Sequence, residues 1–190
     1  MRKSVVFASF LLLAGAPLFL TRPAQAQMAA TVTQIADRSL SNLEHEFIPL
    51  AEAMPDEKFD YAPTNGEFKG VRTFGSQVMH VAVTNYEIGA ALLGEKIPID
   101  VGKDESGPEL KTKAEKVKFL KDSFAYIHKG FATVTKENID GQVENPFGGK
   151  NKPTRLGLVI LAIGHSNDHY GQGVEYLRSN GIIPPASRGQ

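Results

Sequence analysis

Four stretches of this chain carry apolar residues at three- and four-residue steps, and connections rich in proline and glycine separate them. In the first stretch Val32, Ala36, Leu40, Leu43, Phe47 and Leu50 line up as one helical stripe, with Pro49 expected to kink or end the helix nearby. Residues 54–71 contain Pro55, Pro63, Gly66 and Gly70 and read as loop. A second helix is predicted from an N-cap at Thr73 to about Leu93, stopped by Gly94. Beyond a loop over 94–108, a third helix opens at Pro108 or at Thr112, where Thr112-x-x-Glu115 forms a capping-box pattern. Its stripe is Leu120, Phe124, Ile127, Phe131 and Val134. The connection 138–153 is long and irregular, and a fourth helix runs from about Thr154 to Ser179, ended by Asn180-Gly181. No stretch shows convincing period-two alternation, and only VENPF at 143–147 and KIPIDV at 96–101 are candidates for short extended pieces. The fold class is therefore all-α: four amphipathic helices around one core, an architecture that often houses metal sites between facing helices.

Residues 1–26 stand apart from this pattern. Arg2 and Lys3 precede an apolar run from Val5 to Leu20, and Ala24-Gln25-Ala26 supplies the small-x-small pattern of a signal-peptidase site. Gly15 and Pro17 break the run, which is short against the ~20 residues of a membrane span. The expectation is a cleaved signal peptide (1–26), a mature domain over 27–190, a periplasmic or secreted location, and no stable membrane insertion after cleavage. Cysteine is absent, which excludes lipid attachment at the cleavage site, thiolate metal ligands and cysteine nucleophiles. The neutral precursor loses Arg2, Lys3 and Arg22 and no acidic residue on cleavage, leaving 18 basic side chains against 21 acidic ones. That balance gives no electrostatic footprint for nucleic acid.

The five histidines carry the chemistry. His165 and His169 are four apart, one turn apart on a single face of the fourth helix, and that face also holds Leu158, Leu161, Ala162, Gln172 and Tyr176. Two polar rings in an apolar stripe need satisfying. A shared cation does this, and so do hydrogen bonds to neighbouring groups; the spacing alone leaves both open. Ser166 after His165 rules out the HExxH zincin pattern. His80 sits mid-helix near Thr73, Ser76, Gln77 and Thr84, a setting more often structural than ligating. His45 lies opposite the first stripe and is expected in solvent. His128, between Phe124 and Phe131, is either a fourth ligand or, as expected here, a core-edge histidine held by hydrogen bonds.

Three segments, GHSNDHYGQ at 164–172 with the tail YLRSNGIIPPASR, LAEAMPDEKFDYAPT at 50–64, and RTFGSQVMHVA at 72–82, resemble in order the corresponding parts of DinB/YfiT-like proteins. The resemblance spans nearly the whole of 27–190. It implies an up-down-down-up four-helix bundle with one divalent metal, zinc, nickel or similar, held by one histidine of the second helix and two of the fourth. Carried onto this sequence, these are His80, His165 and His169. It also implies a homodimer and, from characterised relatives, thiol-dependent isomerase or S-transferase chemistry. An export signal departs from that pattern, because the known thiol cosubstrates are cytoplasmic.

A closed structural zinc site has four protein ligands, whereas three histidines leave a position open for chemistry or ligand binding. The expectation is a metal-dependent hydrolase or transferase acting on a small molecule, with metal-bound water or thiol as nucleophile. The alternative is a non-catalytic periplasmic bundle that binds a metal or small ligand. Asp168, flanking the histidine face, and Glu87, two turns from His80, are weak candidates for proton transfer or for orienting an imidazole, set against ordinary solvated or interface carboxylates. Gln172 and Tyr176 are candidates to line the pocket, Tyr176 otherwise serving as a core aromatic. Ser166 points away from the pair, and loop 138–153 is long enough to cover one end of the bundle.

Overall fold

All four long helices start on a threonine. A computed structural model of the chain describes residues 30–64 and 69–189; the expected signal segment lies outside the described residues. Helix α1 spans Val32–Ala53, α2 Phe74–Leu93, α3 Lys113–Ala132 and α4 Arg155–Ser179. Their N-caps are Thr31, Thr73, Thr112 and Thr154, each hydroxyl accepting from the backbone N–H three residues on. Gln34 and Glu115 reach back to complete capping boxes in α1 and α3, so α3 opens at Thr112 and not at Pro108. Gly94 ends α2 in the left-handed conformation, at φ 72°. Helix α1 continues through Pro49 to Ala53. Proline removes only the bond to the His45 carbonyl, and His45 lies on the exposed side. Among the described residues there is no strand; near the VENPF segment a single antiparallel bridge joins Gln142 and Thr154.

The pairings across helices fix their directions. Phe47 meets Tyr170, and Leu50 packs on Gly173, so α1 and α4 run together. Asn85 donates to Ser123, and the Thr133 hydroxyl donates to the Leu92 carbonyl, so α2 and α3 run together. The pairs Glu52–Lys121 and Glu44–His128 set α1 against α3, and Gln77–Gln172 with Arg72–Tyr176 sets α2 against α4. This arrangement is consistent with the up-down-down-up order. It has a consequence for the loops. Parallel neighbours cannot be joined by a tight turn, so residues 94–112 must travel back along α2, about 30 Å for a 20-residue helix.

The predicted stripes form the core. Leu40, Phe47, Leu50, Leu120, Phe124, Ile127 and Phe131 are all essentially inaccessible, each such side chain contributing about 1.5–3 kcal/mol relative to exposure. Helix α2 differs from its neighbours because it is buried on nearly every side. The small and polar face around His80 is therefore not a solvent face: Gln77, His80, Thr84, Asn85 and Glu87 are all buried. Buried polar groups require partners, and the partners of this face define the site.

Candidate metal centre

Helix register brings the three histidines together. Tyr176 donates its hydroxyl to the Arg72 carbonyl at 3.0 Å, and Gln77 donates to Gln172 at 2.7 Å. On antiparallel helices, those two pairings leave His80 of α2 opposite His165 and His169 of α4. His80 Nε2 lies 3.0 Å from His165 Nε2. The three ring centroids are 4.8, 4.9 and 4.5 Å apart, and the ligating nitrogens all lie within 4.8 Å of one another. His80 and His169 are buried and His165 is partly exposed.

Burial pushes all three imidazoles down to about 4; for His80 the Arg72 guanidinium is the next cause, and for His165 and His169 a neighbouring ring is. The negative charge of Asp168 opposes the shift at His165 and His169 without reversing it. The cluster is thus neutral at pH 7, with lone pairs available. Each of the three Nδ1 atoms is buried without a hydrogen-bond partner, which is costly for polar atoms. Two nitrogens on one tetrahedral zinc stand about 3.3 Å apart, given bonds of about 2.0–2.1 Å. The observed 3.0 Å between His80 and His165 is close to that value. The donor set, its charge state and its spacing therefore fit one divalent cation, and among the described residues no fourth histidine or carboxylate joins the group.

The other candidates from the sequence take different places. Asp168 is exposed and accepts from Gln172 at 2.8 Å, so the chain Gln77–Gln172–Asp168 runs beside the cluster. Glu87 is buried and its Oε2 has no hydrogen-bond partner; burial, with the charge of Glu105 second, raises its carboxyl to about 7. It lines a cavity of about 290 Å³ with Ala91, Glu95, Ile97, Glu144 and Pro146, so loop 138–153 reaches that cavity. Tyr176 is a core aromatic, packed edge-on to Tyr61 with its hydroxyl bonded to the backbone. Ser166 is fully buried and its hydroxyl has no hydrogen-bond partner. His128 is not a ligand: it bridges α3 to α1 through Asp37 at 2.6 Å and Glu44 at 3.2 Å, and His45 is exposed.

Two residues at the site were not legible in the sequence. Glu105 Oε2 stands 2.9 Å from His80 Nδ1, and Arg72 lies 4.0 Å from the same oxygen. The carboxylate is close to Nδ1 without hydrogen-bond alignment, and burial, with the Arg72 charge second, keeps the ring neutral. A cleft of about 690 Å³ adjoins this corner, lined by Arg72, Ser76, Met79, Lys103, Glu105 and Lys116 among others. None of the three histidine rings lines it, so its link to the cluster runs through Arg72 and Glu105.

The fold agrees with comparisons to known proteins. The DinB-like protein from Bacillus cereus ATCC 10987 superimposes with a TM-score of 0.61 at 15% identity, over 82% of this chain and 96% of that one. A conserved protein from Enterococcus faecalis gives 0.59 at 17%, over 79% and 97%. At such identities the likeness shows the fold alone. No curated protein matches the chain. The family description "DinB superfamily" matches residues 39–172, a segment that contains all four helices in whole or part and all three histidines. The chain belongs to the DinB superfamily.

Proposed function

We propose that this protein is exported, binds one divalent metal ion through His80, His165 and His169, and acts as a metal-dependent hydrolase or transferase on a small molecule. The observation that carries the reading is the convergence of three neutral, mostly buried imidazoles with no fourth protein ligand among the described residues. When bound, such an ion acts as a Lewis acid and makes a coordinated water or thiol more acidic. The protein's own part is to keep the rings neutral by burial, to hold α2 against α4 through Gln77–Gln172 and Tyr176–Arg72, and to leave His165 partly open to solvent. Arg72 and Lys103, on the adjoining cleft, offer positive charge to an anionic substrate group. Export is supported by the signal pattern of residues 1–26.

One observation favours the second reading, a non-catalytic metal- or ligand-binding bundle. Neither Asp168 nor Glu87 hydrogen-bonds a histidine ring; Asp168 is engaged by Gln172 instead. A cobalt-loaded sample separates the two. If azide or a small thiol shifts the visible spectrum, a coordination position is open, as the enzyme reading requires. A spectrum indifferent to both fits a closed site and the binder.

A further inference from the structure

Neutral imidazole has one N–H and one lone pair, so a ring that ligates through Nε2 must carry its hydrogen on Nδ1 and needs an acceptor there. His80 turns its Nε2 toward His165, and the group facing its Nδ1 is the Glu105 carboxylate at 2.9 Å. All three Nδ1 atoms are buried without an aligned hydrogen bond, and among them His80 alone has a carboxylate within ion-pair distance. Glu105 lies on the far nitrogen from the cluster, so it is placed to orient a ligand and not to become one.

The backbone that delivers this carboxylate is strained. Asp104 and Glu105 are the described non-glycine residues with positive φ, at 55° and 57°. Such conformations persist only where surrounding structure over-determines them, and they concentrate at functional sites. Here the loop is clamped. Gly102 and Gly107, also left-handed, flank the pair. Gly107 N–H donates to the Val101 carbonyl at 2.8 Å, and a Cβ on Gly107 would stand 2.9 Å from Met79 Cε and 3.0 Å from Val83 Cγ2. Met79 and Val83 bracket His80 on α2. The returning 94–112 connection is thus pressed onto the helix beside the histidine, and Arg72 approaches the carboxylate from the neighbouring segment.

We infer that Glu105 is the positioning residue for His80: it accepts the Nδ1 hydrogen, selects the tautomer that presents Nε2 to the metal, and holds the ring's orientation. The inference rests on the metal reading for its purpose but not for its test, because the tautomer exists without metal.

The test uses the mature protein labelled with ¹⁵N-histidine, by long-range ¹⁵N–¹H correlation with and without zinc, and by competition titration of zinc affinity. Wild type is expected to show His80 as the Nδ1–H tautomer in both states. Glu105→Gly removes the carboxylate and also relieves the left-handed backbone. It should therefore mix the His80 tautomers and lower zinc affinity about 10- to 100-fold, with a Tm no lower than wild type. Glu105→Gln, which retains an acceptor oxygen, should lose less affinity than Glu105→Gly. The inference is overturned if wild-type His80 is the Nε2–H tautomer, or if Glu105→Gly keeps zinc affinity within twofold. It is also overturned if Glu105→Gly lowers Tm while leaving the tautomer unchanged, which marks a structural role. If wild type takes up no zinc at all, the metal reading fails by itself, and the metal-free tautomer still decides the role of Glu105.

Discussion

His80 and His165 are 85 residues apart, on antiparallel helices, and their Nε2 atoms stand 3.0 Å from each other. Two neutral imidazoles with pKa values of about 4 meet there with His169 beside them. Nothing in helix packing by itself asks for three polar rings at this point, and replacing them with apolar side chains would satisfy the core at lower cost. A shared cation, as proposed above, would account for their presence.

Acid should loosen the metal-free protein through this cluster. A histidine whose folded pKa is about 4 and whose unfolded pKa is 6.5 binds fewer protons when folded between those values. Its contribution to stability is therefore present above pH 6.5 and is lost as pH falls through about 4. Denaturation midpoints of metal-free protein from pH 7 to pH 4 should fall more steeply for wild type than for His165→Gln/His169→Gln. Parallel curves would contradict the assigned burial.

Glu87 should act with the opposite sign. Its carboxyl is raised from 4.5 to about 7, so its contribution is present below pH 4.5 and is lost as pH rises through 7. Glu87→Gln cannot ionise. It is expected to gain stability relative to wild type as pH climbs from 5 to 8, measured by chemical denaturation at each pH. A gap between the two proteins that stays constant over this range would argue against a buried, ionisable Glu87.

His128 ties α3 to α1 through Asp37 and Glu44 and has no part in the metal group. His128→Ala is expected to leave metal stoichiometry at the wild-type value while costing about 0.5–1.5 kcal/mol of stability. Loss of bound metal in this variant would make it a ligand after all.

Helices α2 and α3 touch backbone to backbone at Gly89 and Gly130. A Cβ on Gly130 would stand 3.1 Å from both Cα and the carbonyl oxygen of Gly89. Because those atoms are backbone, α2 must shift to make room. Gly130→Ala should therefore cost about 1–3 kcal/mol, partly offset by the roughly 1 kcal/mol better helix propensity of alanine. Denaturant titration gives the net value, and a stabilised variant would show that the helices separate easily.

The helices were legible because their ends carry local chemistry: Thr73, Thr112 with Glu115, Thr154 and Gly94 act within one turn of themselves. His165 and His169 were legible as a pair for the same reason, a four-residue spacing on one helix. His80 was not, since a lone histidine on a face of small and polar neighbours is more often structural than ligating, and only the family resemblance set it with the pair. That face is buried because α2 has neighbours on every side, a property of the assembled bundle. Glu105 lies 25 positions after His80, in a loop with no periodicity to mark it. It arrives there because parallel α2 and α3 force a long return connection. The late signal for it is two consecutive left-handed non-glycine residues, which only coordinates reveal.

The central claim is a single divalent ion on three histidines, and elemental analysis of the purified, periplasmically expressed protein tests it most directly. The account predicts close to one equivalent of zinc, nickel or a similar metal in wild type. It predicts a loss to background in a folded His80→Ala/His165→Ala/His169→Ala variant. Equal metal content in the two proteins, or none in wild type after metal-replete expression, would contradict it.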